Sequence, residues 1–493
     1  MKYALTLVGF AVLAVTGAIA QTVPQPLVDA ARKTVVSNPD VQARWRAFNM
    51  ADADRSEARA GYFPQIDGRV GVGRERNVRP VAGSTGWYGY RTSALTLNQM
   101  LFDGFFTRNE VARLGHAKLT RYYELLDASE TAALDTVKAY ADVVRFRELV
   151  AQSKLNYGEH RRTTALIEER VAGGVGRRVD LEQAVGRLAL AETNLSTDLA
   201  NLYDVTARYQ RVVGELPPED LPTFDERLRL GGLPAGFEDT IRQGIDASPA
   251  LSAAVENVRA AEAGIAARKA AYLPRLDFQA SQTWYHNLLG ERGPSRDSQV
   301  GLVLSYNFYR GGADDARKTK AVETHSQALD LQEKVCRDVR QNIVSAFNDA
   351  QRLQEQMSFL AQHQLSTEKS REAYRQQYDI GQRTLLDLLD TQNEYFQASR
   401  AYINGRFDRV LAQGRALASM GQLMASLGVS RPDMPSASDA GQEGNGAPPR
   451  SSDMCQQNMP AVVTLEQARA TVDVTPRPRA NTLPPGEPAP RKP

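Results

Sequence analysis

Between about Gly312 and Asp379 the chain has no proline and, after Gly312 itself, no glycine. Apolar residues recur there at alternating steps of three and four: Cys336, Val339, Ile343, Ala346, Ala350, Leu353, Met357 and Leu360. That spacing is the seam of a coiled coil. About 70 residues rising 1.5 Å each reach roughly 100 Å, so the rod must lean on a lateral partner. The pattern stops at Tyr378-Asp-Ile-Gly381-Gln-Arg383-Thr and restarts at Leu385, which predicts a hairpin whose return helix reaches about Leu427. An equally long helical pattern breaks at Arg170-Val-Ala-Gly173-Gly174-Val-Gly176 and resumes at about Val179, running to Val213. Its seam holds Leu126, Ala133 and Tyr140, seven apart, with Val137 and Val144 as a second such pair.

Ahead of each rod the period drops to two. Ile66, Gly68, Val70 and Val72 alternate with Asp67, Arg69, Gly71 and Gly73, and Leu95, Leu97 and Leu101 alternate with Ala94, Thr96, Asn98 and Met100. Further on, Leu276, Phe278, Ala280 and Trp284 alternate with Asp277, Gln279, Thr283 and Tyr285. Val300, Leu302, Leu304, Tyr306 and Phe308 alternate with Gly301, Ser305 and Asn307. Strands are therefore expected at about 65–75, 90–101, 275–285 and 299–309, each apolar on one face.

The two sets are copies. Gly174, Asp180 and Leu181 lie 207 positions before Gly381, Asp387 and Leu388, and Val137–Asp142 lies 207 before Val344–Asp349. Tyr62-Phe-Pro64-Gln-Ile-Asp67 matches Tyr272-Leu-Pro274-Arg-Leu-Asp277, and Asn38-Pro39 matches Ser248-Pro249, both at an offset of 210. The chain thus divides into a first repeat, 21–213, with its helical hairpin at 104–213, and a second repeat, 235–427, with its hairpin at 312–427. A Pro/Gly-rich linker, 214–234, joins them. A period this long is two structural halves and not a solenoid unit.

About ten alternating residues suit a tilted strand that crosses a bilayer, although one hairpin alone would equally suit a small soluble sheet packed on the helices. Four strands cannot close around a lumen, because their edges would present unpaired backbone groups to lipid. Three copies sharing one barrel would supply twelve. Trp87, Tyr88, Tyr90, Trp284, Tyr285, Phe308 and Tyr309 lie near the strand ends, where an interfacial aromatic belt would sit.

Composition narrows the class further. A formal charge of +2, a hydrophobic fraction of 42% and a mean hydropathy of −0.43 exclude a polytopic helical membrane protein and give no electrostatic case for nucleic acid. Met1-Lys2, the apolar run Ala4–Ile19 and the exit Ala18-Ile-Ala20 read as a signal peptide, 1–20, with no cysteine after it for a lipoprotein anchor. Residues 432–493 gather about half of the prolines among glycine, serine and arginine and read as a disordered tail with a weakly helical patch at Thr464–Thr471. Cys336 lies on the seam, where a buried small side chain is favoured over a disulfide with Cys455 of the tail.

No catalytic constellation stands out, and no cofactor is implied. His116, His160, His286, His325 and His363 are scattered, none in metal-ligand spacing, with no phosphate loop or nucleophile elbow. Asp387 and Asp390, three apart, share a helix face. Three-fold symmetry would gather six carboxylates around one axis, a ring that selects cations and raises the pKa of some members. The plainer reading is a pair of helix-start carboxylates favoured by the helix dipole.

The duplicated Tyr-x-Pro-x-hydrophobic-Asp strand start and the tip Tyr378-x-x-Gly381-x-Arg383-Thr-Leu-Leu-Asp387-x-Leu-Asp390 resemble the TolC-like outer-membrane channels of bacterial efflux pumps and type I secretion systems, over about Pro24–Leu427. The resemblance implies a mainly α fold with transmembrane β: duplicated helix–β-hairpin–long helical hairpin units, a homotrimer sharing a 12-stranded β-barrel in the outer membrane, and a periplasmic α-helical barrel closed by the hairpin tips. It places Tyr378 and Arg383 at the gate, tied when closed to a neighbouring hairpin near Asp180, and Asp387 and Asp390 at the pore constriction. Gly173, Gly174, Gly176, Gly381 and Arg383 become the partner-contacting tips. The implied partners are a periplasmic membrane-fusion adaptor, an inner-membrane transporter of ABC or proton-driven type, and outer-membrane lipid. The expected function is the exit duct of type I protein secretion, with small-molecule efflux as the alternative. A periplasmic coiled-coil adaptor or structural rod is the reading from another class.

Overall fold

A computed structural model describes residues 23–76, 78–79, 83–84, 86–224, 230–234, 236–441, 455 and 463–472. The expected signal peptide lies outside the described residues. The chain divides into two units, Met1–Cys455 and Gln456–Pro493. In the second, helix α10 (Leu465–Ala470) starts at a capping box formed by Thr464 and Gln467.

The first unit repeats one plan twice. Helices α1 (Gln25–Ser37) and α2 (Pro39–Ala60) lead into strands β1 (Gln65–Glu75) and β4 (Tyr88–Phe102), with a small ribbon of β2 (Val78–Arg79) and β3 (Gly83–Ser84) between them. The rod α3 (Phe106–Ala172) and its return α4 (Arg178–Val213) follow. The second pass consists of α5 (Phe237–Ala247), α6 (Pro249–Lys269), β5 (Arg275–His286), β6 (Pro294–Ser305), α7 (Ala313–Asp379), α8 (Leu385–Ser419) and the short α9 (Leu423–Leu427). Each rod is 67 residues long. The Asn38-Pro39 and Ser248-Pro249 pairs act as matching helix starts. Asn38 accepts from the Asp40 amide at 2.9 Å, Ser248 accepts from the Leu251 amide at 3.4 Å, and each proline supplies a preset φ where no donor is needed. Among the described residues no helix is long and apolar enough to cross a membrane.

The four long strands form one antiparallel sheet in the order β1-β4-β5-β6, so the hairpins of the two halves join through β4 and β5, where Leu97 faces Ala280. The outer sides of the edge strands β1 and β6 have no strand partner among the described residues. Val300, Leu302 and Leu304 of β6 stand 64–71% exposed on one face of the sheet. Strand β6 stops at Ser305, short of the expected end, so Tyr306 and Phe308 lie beyond it, edge to face at 4.9 Å. The reason is pairing: Ser305 faces Arg275, the first residue of β5, and no backbone remains for a longer ladder.

The main core forms where α3 passes α1, α4, α8 and α9. Ala133, Val137, Tyr140 and Val144 of α3 are buried with Leu27 and Val35 of α1, Tyr209 of α4, and Phe407 and Val410 of α8. The linker enters this core through Phe224 and Leu230, and the Tyr140 hydroxyl donates to the Pro222 carbonyl at 2.8 Å. Farther along, Ser153 of α3 donates to the fully buried Asp198 of α4, which also holds Arg400 of α8. On α7 the seam runs through Phe347, buried, where the sequence spacing pointed to Ala346, because α5 brings Phe237 against it at 5.7 Å. Gly405 of α8 lets Met357 and Leu360 approach so closely that an added Cβ would lie 2.5 Å from Leu360 Cδ1.

Two expectations about the tail are corrected. Residues 432–441 are ordered against the helices: Met434, Ala437 and Ala440, three apart, pack around Phe48 and Tyr122. Just before them Arg431 is buried with its guanidinium 4.8 Å over Trp45. Three well-spaced apolar side chains suffice for this docking in a segment whose composition is that of a coil. Residues 442–454, 456–462 and 473–493 lie outside the described residues. Cys336 is not a free buried thiol but forms a disulfide with Cys455, whose carbonyl accepts from Arg340 at 3.0 Å.

Glu130 of α3 is buried and accepts from the Met424 amide at the start of α9 at 3.2 Å. Burial pushes its carboxyl up to about 7, against the opposing pull of these backbone donors. The folded chain therefore holds this proton more tightly than the unfolded chain. The group's contribution to stability is complete below about pH 4.5 and is lost as pH rises through about 7. Unfolding midpoints at pH 5 and pH 8 test this: Glu130→Gln should abolish a wild-type drop of at most about 3 kcal/mol. An equal pH response in both proteins would remove Glu130 as its source.

Candidate functional site

The distinctive local chemistry lies where each rod turns back. Helix α3 ends at Ala172, and Gly174 follows at φ +76°; α7 ends at Asp379, and Gly381 follows at φ +77°. That left-handed backbone suits glycine. It lets Val175 and Gly176 donate back to the Arg170 carbonyl at 3.0 and 2.9 Å, and Gln382 to the Gln377 carbonyl at 2.8 Å. Between the two tips lies a small apolar cluster of Ile167, Tyr378, Leu385, Leu388 and Leu389, flanked by Val171 and Leu181. The leucines after Arg383 thus fasten one hairpin to the other.

Tyr378 reaches the first hairpin at Arg170. The guanidinium donates to its hydroxyl at 3.3 Å and lies 5.6 Å from the ring. Burial pushes the hydroxyl's pKa up, Arg170 draws it back, and the carboxylates of Asp180 and Asp379 push it up further. Arg383 stays on its own hairpin, donating to Gln377 Oε1 at 3.0 Å and lying 4.3 Å over the Tyr374 ring. Asp180 pairs with Arg177 at 3.1 Å, so within one chain Arg383 and Asp180 are not brought together.

The two aspartates are also occupied. Asp387 closes a capping box, accepting from the Thr384 hydroxyl at 2.8 Å and the Thr384 amide at 3.1 Å. Those hydrogen bonds, the side-chain one first, hold its carboxyl below the ordinary range. This is the opposite direction from that expected of a crowded ring, because the cap acts inside each chain. Asp390 accepts from Arg187 of α4 at 2.7 Å, a second tie between the hairpins. Sequence reasoning missed Arg170 and Arg187. Arg187 stands two turns after Asp180 on the same face of α4, and that spacing was the available signal. Among the described residues no group of three or more His, Cys, Asp or Glu could hold a metal ion.

The sequence profile of the outer membrane efflux protein family matches residues 30–215 and 240–422, the two halves of this architecture. The chain belongs to the outer membrane efflux protein family. The family's members are outer-membrane channels of tripartite export systems and not enzymes, which sets aside the adaptor or rod reading. Outer membrane efflux protein BepC of Brucella suis is 26% identical over 84% of this chain and 88% of its own length. Outer membrane protein TolC of Escherichia coli K12 is 24% identical over 83% and 85%. The solved structure of the Campylobacter jejuni CmeC outer membrane channel shares the fold with a TM-score of 0.72, at 16% identity, covering 81% of this chain and 86% of that one. This outer membrane efflux protein thus lies in the bacterial outer membrane, with a mainly helical fold of two repeats, each carrying a β-hairpin.

Proposed function

We propose that three copies of this chain share one twelve-stranded barrel, continued by a periplasmic helical barrel, and form the passive exit duct of a type I protein secretion system. The observation that carries the duct is the four-stranded sheet with two unpartnered edges and an exposed apolar face, which becomes stable in lipid only when other copies complete it. Energy then comes from an inner-membrane transporter, reached through a periplasmic membrane-fusion adaptor that contacts the tips at Gly173, Gly174, Gly176, Gly381 and Arg383. Protein cargo is supported by the Gly381-x-Arg-Thr-Leu-Leu-Asp tip sequence. Small-molecule efflux is the second reading, favoured by the efflux role for which the family and BepC of Brucella suis are named. Deleting the gene and comparing the secreted proteome with drug susceptibility separates the two: unchanged secretion with heightened susceptibility would move the assignment to efflux.

In this duct Tyr378, Arg383 and Asp180 form the gate, and Asp387 with Asp390 forms the cation-selective constriction. Single-channel recording of the detergent-purified protein in a planar bilayer tests both assignments. Arg383→Ser should raise the resting conductance severalfold by removing the tie to a neighbouring copy's hairpin near Asp180, since within its own chain Arg383 holds only Gln377 and Tyr374 of its own hairpin. Asp387→Asn/Asp390→Asn should weaken cation selectivity. An unchanged selectivity would leave the two aspartates as a helix cap and an ion pair and nothing more.

A further inference from the structure

Where the second pair of strands meets its helices there is a cavity of about 690 Å³ that the gate does not use. Four arginines line it: Arg268 from the end of α6, Arg275 at the start of β5, Arg310 beyond β6, and Arg317 in the first turns of α7. Their counter-charges are few. Asp314 serves two of them, Arg317 at 2.9 Å and Arg310 at 3.7 Å. Asp103, the other acid in the wall, accepts from the Thr107 amide and hydroxyl at 2.8 and 2.6 Å and acts on Arg275 through space. Arg275 forks onto Asp277 at 2.8 and 3.1 Å, and Arg268 is left to a through-space attraction to Glu110, which is itself forked onto Arg113. The lining itself therefore holds four arginines against two aspartates, Asp103 and Asp314.

The duplication supplies an internal control. By the offsets of 210 and 207, the first-half counterparts of the four arginines are Ala58, Gln65, Asp103 and Glu110. The same helix–strand–helix frame is built there with no basic residue at any of the four places, so the arginines are not required for the frame. Their surroundings also have a polarity. Leu273, Phe106 and Tyr306 supply large apolar side chains to the lining. Tyr306 continues the exposed apolar face of Val300, Leu302 and Leu304, and Phe308 just beyond is 90% exposed. A cationic hollow opening beside a lipid-facing strip, at the strand ends nearest the rods, is placed at the headgroup level of one leaflet.

We propose that this cavity binds the phosphodiester headgroup of a phospholipid in the leaflet facing the rods, with its acyl chains lying along the apolar face of β6. Guanidinium groups present fixed forks of donors that match phosphate oxygens, and these arginines stand exposed enough for a headgroup to reach them. The inference goes beyond conduction and adds a lipid ligand at the base of the barrel.

Native mass spectrometry of the detergent-purified full-length protein, titrated with phosphatidylglycerol, diacylglycerol of the same chains, or inorganic phosphate, tests it. Wild-type protein should retain phosphatidylglycerol and not diacylglycerol, and excess inorganic phosphate should not displace the lipid. Arg268→Gln/Arg310→Gln should weaken retention by about tenfold or more, the loss expected on removing charged hydrogen bonds. Arg161→Gln/Arg211→Gln, distant from the cavity, should leave it unchanged. Equal retention of diacylglycerol by the wild-type protein, which needs no variant to fold, would overturn the proposal, as would full retention by the cavity variant. Complete displacement by inorganic phosphate would reassign the cavity as a soluble-anion site. Single-channel conductance, read on the same preparations, reports on the duct separately.

Discussion

Asp198→Ala is expected to cost the protein about 3–5 kcal/mol of stability, as breaking a buried ion pair from one side does. The carboxylate sits on α4 with its residue fully buried and binds Arg400 of α8, one oxygen meeting Nη2 at 3.0 Å, while Ser153 of α3 donates to the other. Three helices meet at this one anion. Removing it leaves the Arg400 guanidinium, 5.3 Å over the Phe396 ring, with only the Ser153 hydroxyl at 3.3 Å to accept from it. Arg400 keeps a quarter of its side chain in solvent and can turn partly outward, which places the loss toward the lower end of the range. Asp198→Leu/Arg400→Met, which removes both charges together, should recover most of the loss. Denaturant unfolding of the wild type and these two variants measures both effects. A single variant within 1 kcal/mol of wild type, on the scale of an exposed pair, would mean that water already reaches the site.

Reduction of the Cys336–Cys455 bond should lower stability by about 2–4 kcal/mol. The bond closes a loop with a sequence separation of 119 residues, running from the middle of α7 around the second hairpin tip, back along α8 and α9, and out past the docked strip at Met434–Ala440. So long a loop restricts the unfolded chain strongly, and most of the effect is expected there. Thermal unfolding with and without reductant gives the readout. The wild-type midpoint should fall on reduction to that of Cys336→Ser/Cys455→Ser, and the double variant should not respond to reductant. A wild-type midpoint indifferent to reductant would show that the bond carries no stability.

Rods, hairpin tips and strands were legible because each repeats a period over many residues, and because the second copy restates the first. Cys336, Val339, Ile343 and Ala350 are buried on α7 in the places their spacing indicates. What could not be read was set by distant pairing. Strand β6 ends at Ser305 because β5 begins at Arg275, a fact of register that the alternating run through Phe308 does not contain. The ordered strip after Arg431 depends on a groove built by Phe48 and Tyr122, nearly 400 positions earlier in the case of Phe48. At the tips, Tyr378, Arg383, Asp387 and Asp390 could be singled out by motif, and Gln377 and Thr384 lie within six residues of the groups they hold, but the partners Arg170 and Arg187 were fixed only by the way the hairpins lie together. Charge spacing along one helix cannot say which acid is already occupied.

The two open edges of the sheet also have a genetic consequence. If β6 of each copy must be completed by β1 of the next, as a ring shared by three chains demands, a chain defective at either edge spoils every assembly that it enters. In a cell producing intact and defective chains equally, only about one assembly in eight would be built wholly of intact chains. Edge-strand alleles of this gene should therefore be dominant, whereas a null allele should be recessive.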